Sequence, residues 1–510
     1  MEANMNKGLS RRDFLKAIGV CLASSVPGCA SGTYGQIKKT SAQKRPNIVF
    51  IMADDLGYGD FGCYNRDSKI PTPNVDRFAS QSVSFTDAHS PSAVCSPTRY
   101  GVLTGRYSWR TRLKRNVLSG YSQPLIAQEQ ITVAELLKRH GYRTACIGKW
   151  HLGVGWQSKD GGAINSPRDA ERVDFNKPVT DGPKEHGFDY SFITAACSTV
   201  DQPYVFIENG KCTAEPTETM VRKGPVVTTG SRPGPMVPGW SNENVDPTYV
   251  EKTGEFLKRH KDTNENDPFF VYLPLSAPHA PWLPPVFVKG QSTTGARGDM
   301  VVLVDWCVGQ VLDILDKLNL ADNTLVIVTS DNGPRIGKKG HASSGNWRGY
   351  KSHIWEGGHR IPFIARWTGR IKPNTTSDEV ICLTDLIATC AAIVGSKLPE
   401  DAGQDSYNIL PALLGEKSGK PIREAIVHHS CFGVFSIRQG HWKLILGTKS
   451  SGGWVEPGGS GPKKGNPGQL YNLADDPYEK NDLWEKHPDI VERLTRLLEK
   501  YKEQGYSRRI

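Results

Sequence analysis

The stretch Asn47-Ile48-Val49-Phe50-Ile51-Met52-Ala53-Asp54-Asp55 sets the fold class of this chain. From Ile48 to Ala53 no polar residue interrupts it, which is the pattern of a strand buried on both faces of a parallel sheet. Two carboxylates follow at its C-terminal end. Downstream, Val133 to His140 has helical spacing, Arg143 to Trp150 reads as the next strand, and Phe269 to Leu275 as a third. An amphipathic helix is predicted over Met300 to Leu318 and a fourth strand over Thr324 to Thr329, ending in Ser330-Asp331-Asn332-Gly333. This alternation predicts an α/β architecture, a large mostly parallel sheet flanked by helices. Gly155 to Lys184 and Lys211 to Pro247, rich in Gly, Pro, Asp and Thr, read as loops. Beyond Pro399, short strands are expected at Ala425 to Ser430, Gly433 to Arg438 and Trp442 to Leu446. A Gly/Ser/Pro-rich insert and a final helix from Pro488 to Gln504 follow, which together make a smaller C-terminal α+β domain. The expected boundaries are 1–45 for a leader and linker, 46–400 for the main domain and 401–510 for the smaller one.

A chain of 510 residues exceeds what one core usually supports, and 37% hydrophobic with 23% charged residues is a globular composition. No apolar run reaches the ~20 residues that span a bilayer. Ser10-Arg11-Arg12-Asp13-Phe14-Leu15-Lys16 before the apolar stretch Ala17 to Val26 reads as a twin-arginine export signal. Val26-Pro27-Gly28-Cys29 resembles a lipoprotein cleavage box. The mature protein is therefore expected outside the cytoplasm, either cleaved and periplasmic or lipid-anchored through Cys29, with the twin-arginine machinery as a partner. The formal charge of +10 suits an anionic partner such as a sulfated glycan and suits nucleic acid equally, so charge does not choose between them; on the sequence motifs, no nucleic-acid partner is expected. Of eleven cysteines, Cys21 and Cys29 lie in the leader and no pair has Cys-x-x-Cys spacing, which argues against zinc ribbons. The remaining nine leave at least one without an internal disulfide partner, and Cys95 is the candidate.

In open α/β sheets, ligands gather at the carboxyl ends of strands. Asp54, Asp55, Asp331 and Asn332 make an all-oxygen set from two such ends, suited to a hard cation such as Ca²⁺ or Mg²⁺. Any one of them alone also fits a helix cap or a turn. Cys95-Ser96-Pro97-Thr98-Arg99 places a nucleophilic side chain at a helix N-terminus, where anions are favoured; a buried structural cysteine is the alternative. Lys149 and His151, two apart on the predicted strand, are expected to emerge on one face.

Cys-x-Pro-x-Arg with the trailing Leu103-Thr104-Gly105-Arg106 resembles the maturation signature of type I sulfatases. Gly148-Lys149-Trp150-His151-Leu152-Gly153, Ala277-Pro278-His279-Ala280-Pro281 and Ser330 to Gly333 resemble further elements of that family. So do Arg348 to Lys351 with Trp355 to Pro362, and Leu470 to Leu473 with Asp476-Pro477, all in the family's order. The resemblance implies an alkaline-phosphatase-like fold, hydrolysis of sulfate monoesters, and a maturation enzyme that converts Cys95 to Cα-formylglycine. It implies a Ca²⁺ held by Asp54, Asp55, Cys95, Asp331 and Asn332, with Arg99, Lys149 and Lys351 neutralising the ester. It further implies that His279, with Lys351, protonates the leaving oxygen and that His151 deprotonates the second hydroxyl of the hydrated aldehyde. Phosphonate and phosphodiester hydrolases share this fold and nucleophile, and a glycan-binding relative without activity would lack part of the set. Trp156, Trp240 and Trp282 are candidates for stacking on sugar rings, and His341, Asn346, Arg348 and His353 for contacts with sugar hydroxyls. Glycosaminoglycan or algal galactan sulfates are the expected substrates.

Overall fold

The strand Asn47–Ala53 lies inside a ten-stranded sheet, and all seven of its residues are buried. The computed structural model describes residues 44–197, 199–225, 228–264, 266–335, 340–416, 419–456 and 467–508. Ile48, Phe50 and Met52 feed the core on one face of the sheet and Val49, Ile51 and Ala53 the core on the other. This two-sided burial is why the run shows no polar alternation, and each buried aliphatic contributes about 1.5–3 kcal/mol. Helices Val245–Asn264 and Ala296–Lys317 pack on the second face. Cys95–Thr104, Val133–Arg139 and Leu386–Val394 pack on the first.

The four strands expected from sequence are neighbours, in the order Thr324–Ser330, Asn47–Ala53, Phe269–Pro274, Arg143–Lys149, all parallel. Tyr190–Thr194 extends this parallel block beside Arg143–Lys149. Phe363–Arg366 and Val83–Phe85 add antiparallel pairings on the other side, followed by Thr375–Ser377. These additions, with the hairpin Ile207–Glu208/Lys211–Cys212, are too short to carry a readable period. The 20-residue helix Val245–Asn264 begins inside the segment expected to be loop. The expected loops also hold 3₁₀ turns at Pro167–Arg172 and Pro183–His186 and a small ladder between Glu218–Met220 and Gly234–Met236.

Towards the C-terminus, Ile426–His429, Phe435–Gln439, Trp442–Leu446 and Gly468–Asn472 form a four-stranded antiparallel sheet. The last of these strands was not foreseen. The helix Pro488–Glu503 lays Leu494, Leu498 and Tyr501 against Val427, Ile437, Leu444 and Leu470, and Tyr107 and Trp109 from the first half of the chain complete this core. Arg45–Ile510 forms one compact unit, so the expected segments 46–400 and 401–510 belong to it together. The expected leader lies, up to residue 43, outside the described residues. No helix among the described residues is long and apolar enough to cross a membrane.

Candidate active site

Register builds the site. Ala53 pairs with Ser330, so Asp54 and Asp331 leave adjacent parallel strands side by side. The Asp54 N–H donates to the Ala277 carbonyl at 3.0 Å, which draws the His279 loop to the same edge. Asp55 adopts φ 69°, a left-handed conformation uncommon for a residue with a side chain. Its N–H donates to Asp331 Oδ1 at 3.2 Å, and Asn332 Nδ2 donates to Asp55 Oδ1 at 2.8 Å. All four side chains are buried.

Cys95 opens the helix Cys95–Thr104, whose N-cap residue Val94 supplies no side-chain cap. The first-turn N–H groups and the helix dipole thus favour an anion beside Cys95. Its Sγ and one oxygen each from Asp54 and Asp331 lie within 4.8 Å of one another. The buried Arg99 donates from Nη2 to Asp331 Oδ2 at 2.8 Å and from Nη1 to the Lys149 carbonyl at 2.9 Å. The Lys149 ammonium pairs with Asp54 Oδ2 and donates to Cys197 Sγ at 3.0 Å. Lys351 Nζ lies 2.5 Å from Asp55 Oδ1. Three carboxylates thus face three cations.

The expectation that Lys149 and His151 share a strand face is corrected. The strand ends at Lys149, and His151 follows with φ 56°. Conformation rather than alternation brings both into the pocket. The close approach of strands here also requires Gly148, whose φ is 139° and where a Cβ would run into the Pro274 carbonyl. His151 Nε2 donates to the Leu118 carbonyl at 2.7 Å; a carbonyl only accepts, so Nδ1 holds the lone pair, and it is buried without a partner. His279 Nδ1 donates in the same way to the Ala280 carbonyl at 2.5 Å, which leaves the Nε2 lone pair 3.4 Å from Cys197 Sγ and 3.7 Å from Asp55 Oδ2. Burial, reinforced by Lys149 and Arg99, pushes His151 down to about 3. Burial, reinforced by Lys351, pushes His279 down to about 3. Both rings are neutral at pH 7, and an anionic ester beside them would favour their charged forms.

Asp54 Oδ1, Asp55 Oδ2 and Asn332 Oδ1 are buried with no hydrogen-bond donor. Three unanswered acceptors in one pocket are costly unless a ligand meets them, and an all-oxygen set is what Ca²⁺ takes. Burial opposes ionisation of Asp54, yet Lys149, His279, Arg99 and Lys351 hold its carboxyl well below the usual range. Burial and the Asp54 charge instead hold Asp331 well above it, despite Arg99. A divalent ion among these oxygens would relieve that repulsion. The residues present fit the metal.

A family model described as Sulfatase matches residues 46–396. The chain belongs to the sulfatase family. It is 35% identical to the N-acetylgalactosamine-6-O-sulfatase of Bacteroides thetaiotaomicron over 94% of this chain and 98% of the relative. It is 32% identical to human arylsulfatase A over 86% of this chain and 83% of the relative. A solved structure from work on the metabolism of multiple glycosaminoglycans by Bacteroides thetaiotaomicron is 34% identical. It superposes with a TM-score of 0.78, covering 90% of this chain and 100% of the other. The fold is the alkaline-phosphatase-like sulfatase fold, and the protein is a sulfuric ester hydrolase.

The sulfatase pocket brings together all ten residues expected from sequence: Asp54, Asp55, Cys95, Arg99, Lys149, His151, His279, Asp331, Asn332 and Lys351. It adds Cys197, which was not foreseen although it follows Tyr190–Thr194 at the same sheet edge. The short run Tyr190-Ser191-Phe192-Ile193-Thr194 was the available signal. The two groups of expected sugar contacts are largely engaged within the protein. Trp156 is buried and donates to the Gly120 carbonyl, and Trp240 and Trp282 are half-buried against the core of the large sheet. His341 meets Asp60 at 3.1 Å, His353 meets the Val455 carbonyl at 2.7 Å, and Arg348 bonds Tyr471 Oη while lying over the Trp355 ring. Asn346 alone of that group is exposed. All nine described cysteines, Cys95 among them, are free. A separate groove of about 1630 Å³, between Thr375–Ser377 and the 406–426 segment, contains none of the pocket residues.

Proposed function

We propose that this sulfatase is exported and removes sulfate esters from a sulfated carbohydrate, with Ca²⁺ and a formylglycine made from Cys95 as its reactive groups. The observation that carries the reading is the set of buried, unanswered oxygens on Asp54, Asp55 and Asn332 beside Cys95. When present, the ion supplies Lewis acidity and the modified residue an oxygen nucleophile. With a divalent ion among them, the three carboxylates and three cations leave the pocket net positive by two. That charge suits a sulfate ester. Arg99, Lys149 and Lys351 stabilise its oxygens electrostatically. Once the anionic ester favours its charged form, His279 offers at Nε2 the proton that the leaving oxygen takes, and His151 Nδ1 accepts the proton released as the bound sulfate departs. The likeness to an N-acetylgalactosamine-6-O-sulfatase favours a 6-O-sulfated N-acetylhexosamine unit as substrate. The leader Ser10 to Val26 supports export through the twin-arginine route, periplasmic or lipid-anchored. The maturation enzyme that oxidises Cys95 is the second partner.

Desulfation of a panel of defined sulfated saccharides, followed by mass spectrometry of the products, tests the reading. Sulfate release from small aryl sulfates but from no saccharide would overturn it. Mass spectrometry of the residue 95 peptide tests the modification, and a plain thiol in active enzyme contradicts it.

A further inference from the structure

Phe432, Trp454 and Val455 are exposed by 51%, 40% and 59%, and among the described residues the other large apolar side chains so exposed are Val221, Val286 and Phe287. Half of the set therefore sits in two loops of the small-sheet region, and both loops are docked on Ser352, next to Lys351. The Cys431 N–H donates to the Ser352 carbonyl at 3.0 Å, and the Trp454 N–H to Ser352 Oγ at 3.2 Å. The Phe432 N–H donates to the Gly452 carbonyl at 3.2 Å, which ties the loops together. Gly453 allows the close seat, since a Cβ there would strike His353 and Ser352. The Trp454 ring is thus held in place, with Lys351 Nζ 5.9 Å from its centre. On the other loop, burial pushes the thiol of Cys431, next to Phe432, up to about 12, with Lys351 opposing. On the far side, the Asn116 N–H donates to the Cys431 carbonyl at 2.7 Å, and exposed Arg115 lies against Gly433.

We propose that Trp454 and Phe432 form the saccharide platform of this site. The sugar bearing the scissile sulfate stacks on Trp454, the next unit lies over Phe432, and Arg115 meets an anionic substituent of that unit. An apolar face ends beside a catalytic ammonium, with exposed Arg115 against the Phe432 loop on its far side. A sugar ring, with one apolar face and anionic substituents at its rim, matches that order of groups. The inference rests on the carbohydrate reading above and extends it to named specificity residues.

Wild type, Trp454→Ala, Trp454→Phe, Phe432→Ala and Arg115→Ala are compared on a 6-O-sulfated mono- and disaccharide. Competitive inhibition by the desulfated product and by inorganic sulfate is measured alongside. Trp454→Ala should lower kcat/KM on both saccharides about 10- to 100-fold and raise the product inhibition constant in parallel, with sulfate inhibition unchanged and Trp454→Phe restoring most of the loss. Phe432→Ala and Arg115→Ala should weaken only the disaccharide. Saccharide kinetics untouched by Trp454→Ala, or an equal loss of sulfate inhibition, overturns the platform. A wild-type enzyme that cleaves aryl sulfates and no saccharide defeats the carbohydrate reading and the platform with it, and is recognised because the parent enzyme is then the silent one.

Discussion

The pocket at the carboxyl edge of the large sheet and a second cluster beneath the small sheet hold the same ions, three acids and three bases each. In the second, Asp87 meets Arg360 at 2.8 Å and Arg438 at 2.7 Å, and Lys443 lies between Glu356 at 2.9 Å and Glu479 at 2.8 Å. His89 Nδ1 is 3.0 Å from His359 Nδ1, and its Nε2 is 2.6 Å from Asp87. Both carboxylate oxygens of Asp87, Glu356 and Glu479 meet a cation or an N–H. Charge count therefore does not separate the two regions. Unanswered acceptors do: Asp54 Oδ1, Asp55 Oδ2 and Asn332 Oδ1 lack a hydrogen bond in the pocket, whereas the one carboxylate oxygen of the second cluster that lacks one, Glu479 Oε1, lies 2.8 Å from the Lys443 ammonium. His89, His359 and His428 bring ring nitrogens within 4.8 Å, but His359 and His428 stack nearly parallel, 3.8 Å apart. Two such rings cannot aim in-plane lone pairs at one ion between them. The lesson is that a buried ionic cluster becomes a site when part of its polar surface is left for a ligand.

The largest contrast should come from the nucleophile. Cys95→Ala is expected to lower turnover by at least about 1,000-fold with an unchanged unfolding midpoint, and near-normal sulfate release would break the distinction. His151→Ala and His279→Ala should each cost about 10²- to 10⁴-fold in kcat, read on a substrate with a poor leaving group, again in a normally folded protein. The closed cluster should behave in the opposite sense. Lys443→Ala leaves Glu356 and Glu479 buried without their cation and should cost about 3–5 kcal/mol of stability, measured by denaturant unfolding, while the folded fraction keeps its kcat. A Lys443→Ala protein of full stability would show that the cluster holds nothing together. The smallest effect is linkage. Calcium at about one hundred times its Kd should add about 2.7 kcal/mol to wild type and to the Lys443→Ala variant but not to Asp331→Asn, by thermal unfolding in matched buffers. An equal shift in Asp331→Asn would remove Asp331 from the ligand set.

Much of the pocket was legible because its residues are read in pairs at the ends of elements. Asp54-Asp55 and Asp331-Asn332 each follow an uninterrupted apolar run, and Cys95 and Arg99 are one helical turn apart. Period carried no information for the short strands Val83–Phe85, Phe363–Arg366 and Thr375–Ser377. Trp156 and Arg348 were misassigned because an aromatic or a cation in a loop has the same composition whether it faces solvent or a neighbour. Only contacts such as Trp156 to Gly120 distinguish the cases.

By itself the amino-acid sequence determined the parallel sheet, the carboxylates at its edge, the helix-borne Cys95 and the family. These depend on neighbours within a few residues, through alternation, capping and chain order. The tertiary structure alone decided that His151 turns in through a left-handed backbone, that Cys197 joins Lys149, and that Trp454 stands beside Lys351 with the Phe432 loop tied to its own. Those placements arise where segments distant in the chain dock on one another, as Ser352 does with Cys431 and Trp454. Such contacts depend on how distant segments pack, which leaves no period for a sequence to show.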